Sequence, residues 1–90
     1  MAVTSVNDTN VSTTLITASV AATLNGASFT NTSTAILYLL EGIGTASATN
    51  YSVALQPNDY FETPHPNWVR GGVTGIWASD ASGAVLITTW

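Results

Sequence analysis

Through most of the chain, apolar and β-branched residues recur at every second position, the period of a strand rather than of a helix. In residues 11–19, Val11, Thr13, Leu15 and Thr17 fall on one side and Ser12, Thr14, Ile16 and Ala18 on the other. The density of Thr, Val and Ile predicts a strand; the alternative is a helix, which Val20, Ala21, Ala22, Thr23 and Leu24 would continue for another turn. Asn25-Gly26 is the strongest short turn signal and ends this segment. After a short run containing Phe29 and the polar turn Asn31-Thr32-Ser33, residues 34–40 are apolar on both parities, with Ile36, Tyr38 and Leu40 on one and Leu37 and Leu39 on the other. That pattern predicts a strand covered on two faces, one in the core and the other under a loop, an arm or a partner.

Gly42 and Gly44 end that strand. Tyr51, Val53 and Leu55 then share a face, Pro57 with Asn58-Asp59 marks a turn, and residues 60–62 resume a brief strand that is expected to pair back across Pro57. Residues 63–72 read as a long irregular loop, since Pro64 and Pro66 flank His65 and oppose both helix and central strand. Such loops often carry recognition surfaces. The last twenty residues hold two alternating runs, one with Val73, Gly75 and Trp77 and one with Val85, Ile87 and Thr89, broken by Ser82-Gly83; they predict a hairpin. Residues 1–10 lack a sustained period and are expected to form an N-terminal arm that is mobile or ordered by a neighbour. The predicted fold class is all-β: a small antiparallel β-sandwich or partly closed barrel over residues 11–90, with a flexible N-terminal arm.

Ninety residues allow one domain with one core. A chain of this size buries only about 60–65% of its unfolded surface, so a partner or further copies of itself are attractive sources of stability. With 7% charged residues against roughly 25% in ordinary domains, the surface must be wetted mainly by Thr, Ser and Asn. The formal net charge is −4 and Arg70 is the single basic side chain. Nucleic-acid binding and attachment to an anionic membrane both need a basic field, so neither is expected. Met1 opens the chain without a basic, then apolar, leader pattern, and no secretory signal is expected. No run reaches the length that spans a bilayer as a helix.

The inventory for chemistry is poor. The carboxylates Asp8, Glu41, Asp59, Glu62 and Asp80 are scattered, and Asp59, Glu62 and His65 form the one conceivable acid-base or metal cluster, without a spacing that fixes its geometry. There is no Cys, no G-x-S-x-G elbow and no phosphate-cradling glycine motif. The expectation is no enzyme, no metal and no cofactor. The aromatics are more informative. Trp77 inside a strand predicts core packing, Trp68 beside Arg70 fits either a plug or a partner contact, and Trp90 either closes the sandwich end or docks on a neighbour. Exposed aromatics stacking on sugar rings, helped by Asp59, His65 and Asn67, are the alternative.

Three stretches carry a resemblance: Asn31-Thr32-Ser33-Thr34-Ala35-Ile36-Leu37-Tyr38-Leu39, Leu55-Gln56-Pro57-Asn58-Asp59, and Gly75-Ile76-Trp77-Ala78-Ser79 followed by Gly83 to Thr88. In this outline the chain resembles the small β-sandwich virion proteins of tailed bacteriophages, the capsid decoration or cement proteins and related head or tail accessory proteins. The likeness runs over most residues from Val11 onward, while the loop between Glu62 and Gly72 departs from it. The resemblance implies a homotrimer on the outer capsid surface that binds and stabilises the lattice of the major capsid protein without an active site. A tail or neck accessory protein, or a carbohydrate- or protein-binding module, is the alternative. Expected partner contacts are Val3, Thr4 and Asn7 in the arm, His65, Trp68 and Arg70 in the long loop, and Trp90.

Overall fold

A computed structural model describes residues 2–42, 44–79 and 83–90. The expectations for Asp80 as a carboxylate and for Ser82 at the predicted tip lie outside the described residues. The chain forms two four-stranded antiparallel sheets. The strands are β1 (Ala2–Asn7), β2 (Thr13–Ile16), β3 (Ala27–Asn31), β4 (Leu37–Glu41), β5 (Val53–Leu55), β6 (Tyr60–Glu62), β7 (Val73–Trp77) and β8 (Ala84–Thr89). One sheet has the order β1-β8-β3-β6 and the other β2-β7-β4-β5. The two sheets pack as a sandwich, not a closed barrel, which decides between the two all-β forms that the alternating pattern left open.

Alternation explains where the core sits. Val73, Gly75 and Trp77 on β7, Leu37 and Leu39 on β4, Phe29 on β3, and Val85 and Ile87 on β8 are the inward parity of the four central strands, and all are buried. The intervening residues Thr74, Ile76, Tyr38 and Leu40 are half-buried on the other side of their sheet. Trp77, the largest fully buried side chain, lies opposite Leu37 in the β4–β7 ladder. Core packing is therefore its role.

The connectivity differs from the expected hairpins. Of the seven strand-to-strand steps, only β4 to β5 joins neighbours in one sheet; the others cross between sheets. Thus β7 pairs with β2 and β4, while β8 pairs with β1 and β3. The terminal runs form an arch over the core, not a hairpin. Likewise β5 pairs with β4 and β6 with β3, so the Pro57 turn also bridges the sheets. A hairpin and an arch present the same local signal, two alternating runs around a Gly or Pro break. What separates them is whether the apolar faces must oppose one another across a core.

Three further segments change character. The expected arm is strand over Ala2–Asn7, paired with all six residues of β8; its order comes from its own chain. The run predicted as one strand over residues 11–19 stops at Ile16, and Ala18–Ala21 forms a single helical turn, α1, whose N-cap Thr17 accepts from the Val20 backbone N–H at 3.4 Å. The 63–72 segment contains a second such turn, α2 (Pro66–Val69), with Pro66 where its missing N–H costs nothing. As for the two-faced strand, Ser52 N–H donates to the Leu39 carbonyl, and Tyr51 sets its ring 4.9 Å from that of Tyr38. Ala46 is buried outside the main core cluster. The cover of the outer face thus comes at least in part from the chain's own loop after β4.

At the heart of the sandwich stands a polar side chain. Asn31, fully buried at the end of β3, donates from Nδ2 to the carbonyls of Ala35 at 2.8 Å and Leu55 at 2.9 Å. Its Oδ1 accepts from the Ser33 N–H, the Ser33 hydroxyl and Trp77 Nε1. One side chain thereby ties β3 to the ends of β5 and β7 in the opposite sheet. Although Asn31-Thr32-Ser33 has the form of a glycosylation sequon, a side chain so enclosed has no room for a glycan.

Candidate functional site

The candidate sites among the described residues are surfaces and half-open grooves. The first is one end of the sandwich. Trp90 follows β8 and exchanges backbone hydrogen bonds with Gly26, donating at 3.1 Å and accepting at 3.2 Å, while Asn25 N–H donates to the same Trp90 carbonyl at 2.7 Å. A Cβ on Gly26 would stand 2.8 Å from the Trp90 indole, so Asn25-Gly26 is a seat for that ring rather than a hairpin turn. Trp90 closes the sandwich end and still leaves 38% of its surface exposed.

Arg70 lies beside the same connector. It is exposed and directs Nε at the Leu24 carbonyl across 3.4 Å. Trp68 is buried, its ring centroid 5.1 Å from that of Phe61 on β6; it is a plug under the 63–72 segment. His65 is exposed at the N-cap of α2 and makes no side-chain capping bond. The end therefore gathers Arg70 and Trp90 around residues 24–26, while Trp68 faces inward. Replacing Arg70 with Ala removes one long, solvent-screened contact, and the unfolding free energy is expected to change by less than about 0.5 kcal/mol. Urea unfolding checks this, and an unchanged midpoint makes the variant a clean probe of partner binding.

Arg70 also supplies the chain's single tryptic bond, since there is no other Lys or Arg. On its two sides Val69 is buried, and Gly72 both donates to the Val69 carbonyl and accepts from Gly42. A protease needs this backbone extended, so the segment must open first. Native protein is expected to survive trypsin, and urea-unfolded protein to be cut once into residues 1–70 and 71–90. Equal cleavage rates in the two states would show that the loop is open in the fold.

The second surface is the outer face of the β1-β8-β3-β6 sheet. Ladder registers place Val3, Thr88, Ser28 and Glu62 in one row and Ser5, Leu86, Thr30 and Tyr60 in the next. Val3, Leu86 and Tyr60 are exposed large side chains. Glu62 is the one carboxylate of these rows, and it already accepts from the Tyr60 hydroxyl at 2.9 Å. Asn7 lies at the far end of β1, opposite Ala84 and away from Trp90.

The third is the edge where β1 and β2 stand as outermost strands of their sheets. A half-open groove of about 280 Å³ runs between the sheets there, lined by Thr4, Leu15, Ile16, Thr17, Val20, Ile87 and Thr89. Val20, on α1, is 52% exposed. Thr4 is the one expected contact residue that lines this groove, whereas Leu15 and Val20 were not singled out by sequence. Alternation marks Leu15 as buried or surface according to parity alone, and only the turn into α1 leaves Val20 at the rim.

Among the described residues, no group of three or more His, Cys, Asp or Glu is placed to hold a metal ion. Asp59 uses Oδ2 to accept from the Gln56 N–H within its own turn at 2.9 Å, and Glu62 is engaged by Tyr60. No described helix is long and apolar enough to cross a membrane. Of the aromatic rings, Tyr38 and Tyr51 meet at 47° and Trp68 and Trp77 are buried, while Tyr51, Tyr60 and Trp90 are exposed. No protein-family model, curated protein or solved structure matches the chain.

Proposed function

We propose that this chain is a structural protein that works by adhesion and has no catalytic role: a decoration protein on the outer capsid surface of a tailed phage, gripping the major capsid protein lattice. The observation that carries adhesion is the outer face of the β1-β8-β3-β6 sheet, broad and nearly free of charge, with Val3, Leu86 and Tyr60 exposed among Ser and Thr. Docking such a face desolvates few ions, and repeated copies on a lattice turn modest contacts into high avidity. The capsid as the lattice rests on the sequence resemblance; the all-β sandwich is the architecture that resemblance implies.

Quantitative mass spectrometry of virions purified from the source that encodes the chain tests the reading. The expected result is a copy number comparable to that of the major capsid protein and loss of the chain from particles carrying Leu86→Glu. A few copies per particle would move it to the tail or neck. Absence from particles would overturn the virion reading altogether.

A further inference from the structure

We infer that the β1/β2 edge is a self-association surface, and that two copies of this chain join there about a two-fold axis with β1 pairing antiparallel to β1 of the second copy. The inference is independent of the capsid reading.

The backbone names the kind of occupant. As the outermost strand of its sheet, β1 is bonded to β8 along one side, and no described strand lies along the other. An open strand edge is satisfied best by another extended backbone. Soluble proteins guard such edges with charge, Pro or a bulge. The sequence Ala-Val-Thr-Ser-Val-Asn has neither charge nor Pro, and its register with β8 runs unbroken through six residues. Six residues is also the longest strand length in this fold, matched only by β8.

Side chains then narrow the choice to a second copy. A strand added beside β1 continues the sheet, and its inward residues come to lie over the groove between Thr4, Leu15 and Val20. They must therefore be small and uncharged, and the residues of the outer parity must tolerate water. In β1 the inward Thr4 and Val6 are small and uncharged, and of the outward residues Ser5 and Asn7 are polar while Val3 is an exposed apolar side chain without charge. An antiparallel pair is self-complementary about a two-fold axis, so one edge suffices for both partners. The same operation brings α1 of the two copies toward each other, and the exposed Val20 of each supplies an apolar side chain at the rim of the other's groove.

Charge points the same way. Copies carrying a net −4 repel unless their carboxylates stay apart. Asp59 and Glu62 belong to the opposite edge, in the turn before β6 and at its end, and β1, β2 and α1 contain no ionisable side chain; Asp8, which directly follows β1, has its Oδ2 buried within its own chain. Joined this way, the two β1-β8-β3-β6 sheets become one eight-stranded sheet. That is an even-numbered assembly, in contrast to the trimer implied by the resemblance.

Sedimentation equilibrium of the full chain tests the inference. The mass is expected to rise from 9.3 kDa to twice that value within the micromolar-to-millimolar range, and Val20→Lys is expected to weaken the dimer at least ~10-fold. Lys is a better helix former than Val at this exposed site, so the fold is expected to persist, with circular dichroism as the check. Because the chain has no Cys, single cysteines at Val3, Ser5 and Asn7 report the geometry directly. A disulfide-linked dimer is expected from one of these three positions nearest the axis, and none from Cys at Tyr60 on the other edge. A chain that stays at 9.3 kDa up to about 1 mM overturns the inference, even if a foreign strand peptide binds β1. So does a trimer, or a dimer indifferent to Val20→Lys and uncrosslinked along β1.

Discussion

Asn31→Ala is expected to lower the unfolding free energy by roughly 3–5 kcal/mol, a large part of the total for a domain of this size. The loss is large because five hydrogen bonds converge on one side chain. Truncation removes the Asn31 partner from the Leu55 carbonyl, the Ser33 N–H and the indole N–H of Trp77, and one of two partners from the Ala35 carbonyl and the Ser33 hydroxyl, in a place where Asn31 is fully buried. A buried group without a partner costs roughly 1–3 kcal/mol, and the terms do not add fully because Ser33 Oγ retains its contacts with Ala35. Urea titration followed by Trp fluorescence reads the change. Asn31→Asp separates donor from acceptor: it keeps an oxygen for Ser33 and Trp77 but sets a carboxylate against the Ala35 and Leu55 carbonyls. Burial disfavours the charged form and raises the folded-state pKa. The stability of that variant is therefore highest in acid and falls as pH rises through the carboxylate range. A loss under 1 kcal/mol for Asn31→Ala would mean that water replaces the amide and that the network does not join the sheets.

That network also shows what was legible in the sequence. Inner and outer faces followed from alternation: Trp77, Leu37, Leu39, Phe29, Val85 and Ile87 lie where their parity puts them, and the two-sided burial of residues 36–40 announced a cover on the outer face. Pairing did not follow, because Pro57 and Gly83 break the chain equally well for a hairpin or for an arch. Only the long-range opposition of β7 and β8 across the core decides between them. The Asn31 hub was hidden for the same reason. Asn-Thr-Ser reads locally as a turn, and its partners Leu55 and Trp77 are 24 and 46 residues away. Val3 and Thr4, expected as contacts in a loose arm, belong instead to the edge strand β1, because the pairing with β8 is long-range and leaves no local signal. Trp68 is a buried plug because Phe61 reaches it through the β3–β6 pairing, which the sequence did not reveal.

The arch into β8 makes Gly83→Ala the second large effect, a loss of roughly 2–4 kcal/mol. Two causes act at this residue. Its φ of +120° is a conformation that side-chain-bearing residues rarely adopt. An added Cβ would also lie 2.6 Å from both the Thr32 carbonyl oxygen and the Ser33 Cα, which are backbone atoms without freedom to swing aside. The residue cannot retreat, because its own carbonyl accepts from the Asp8 N–H at 3.1 Å and Thr32 N–H donates to the next carbonyl, Ala84, at 2.8 Å. Close approach is needed to hold the entry of β8 against the turn that presents Asn31, so strain here reaches the hub directly. Gly42 provides the comparison: its φ is +82° but a Cβ there meets nothing within 4 Å. Gly42→Ala is expected to cost about 1 kcal/mol, mainly from the backbone. The excess at Gly83 measures the contact with residues 32–33 that an arch makes and a hairpin tip would not. Equal losses at the two glycines in urea unfolding would mean that this contact is absent and that the final strand enters its sheet by another path.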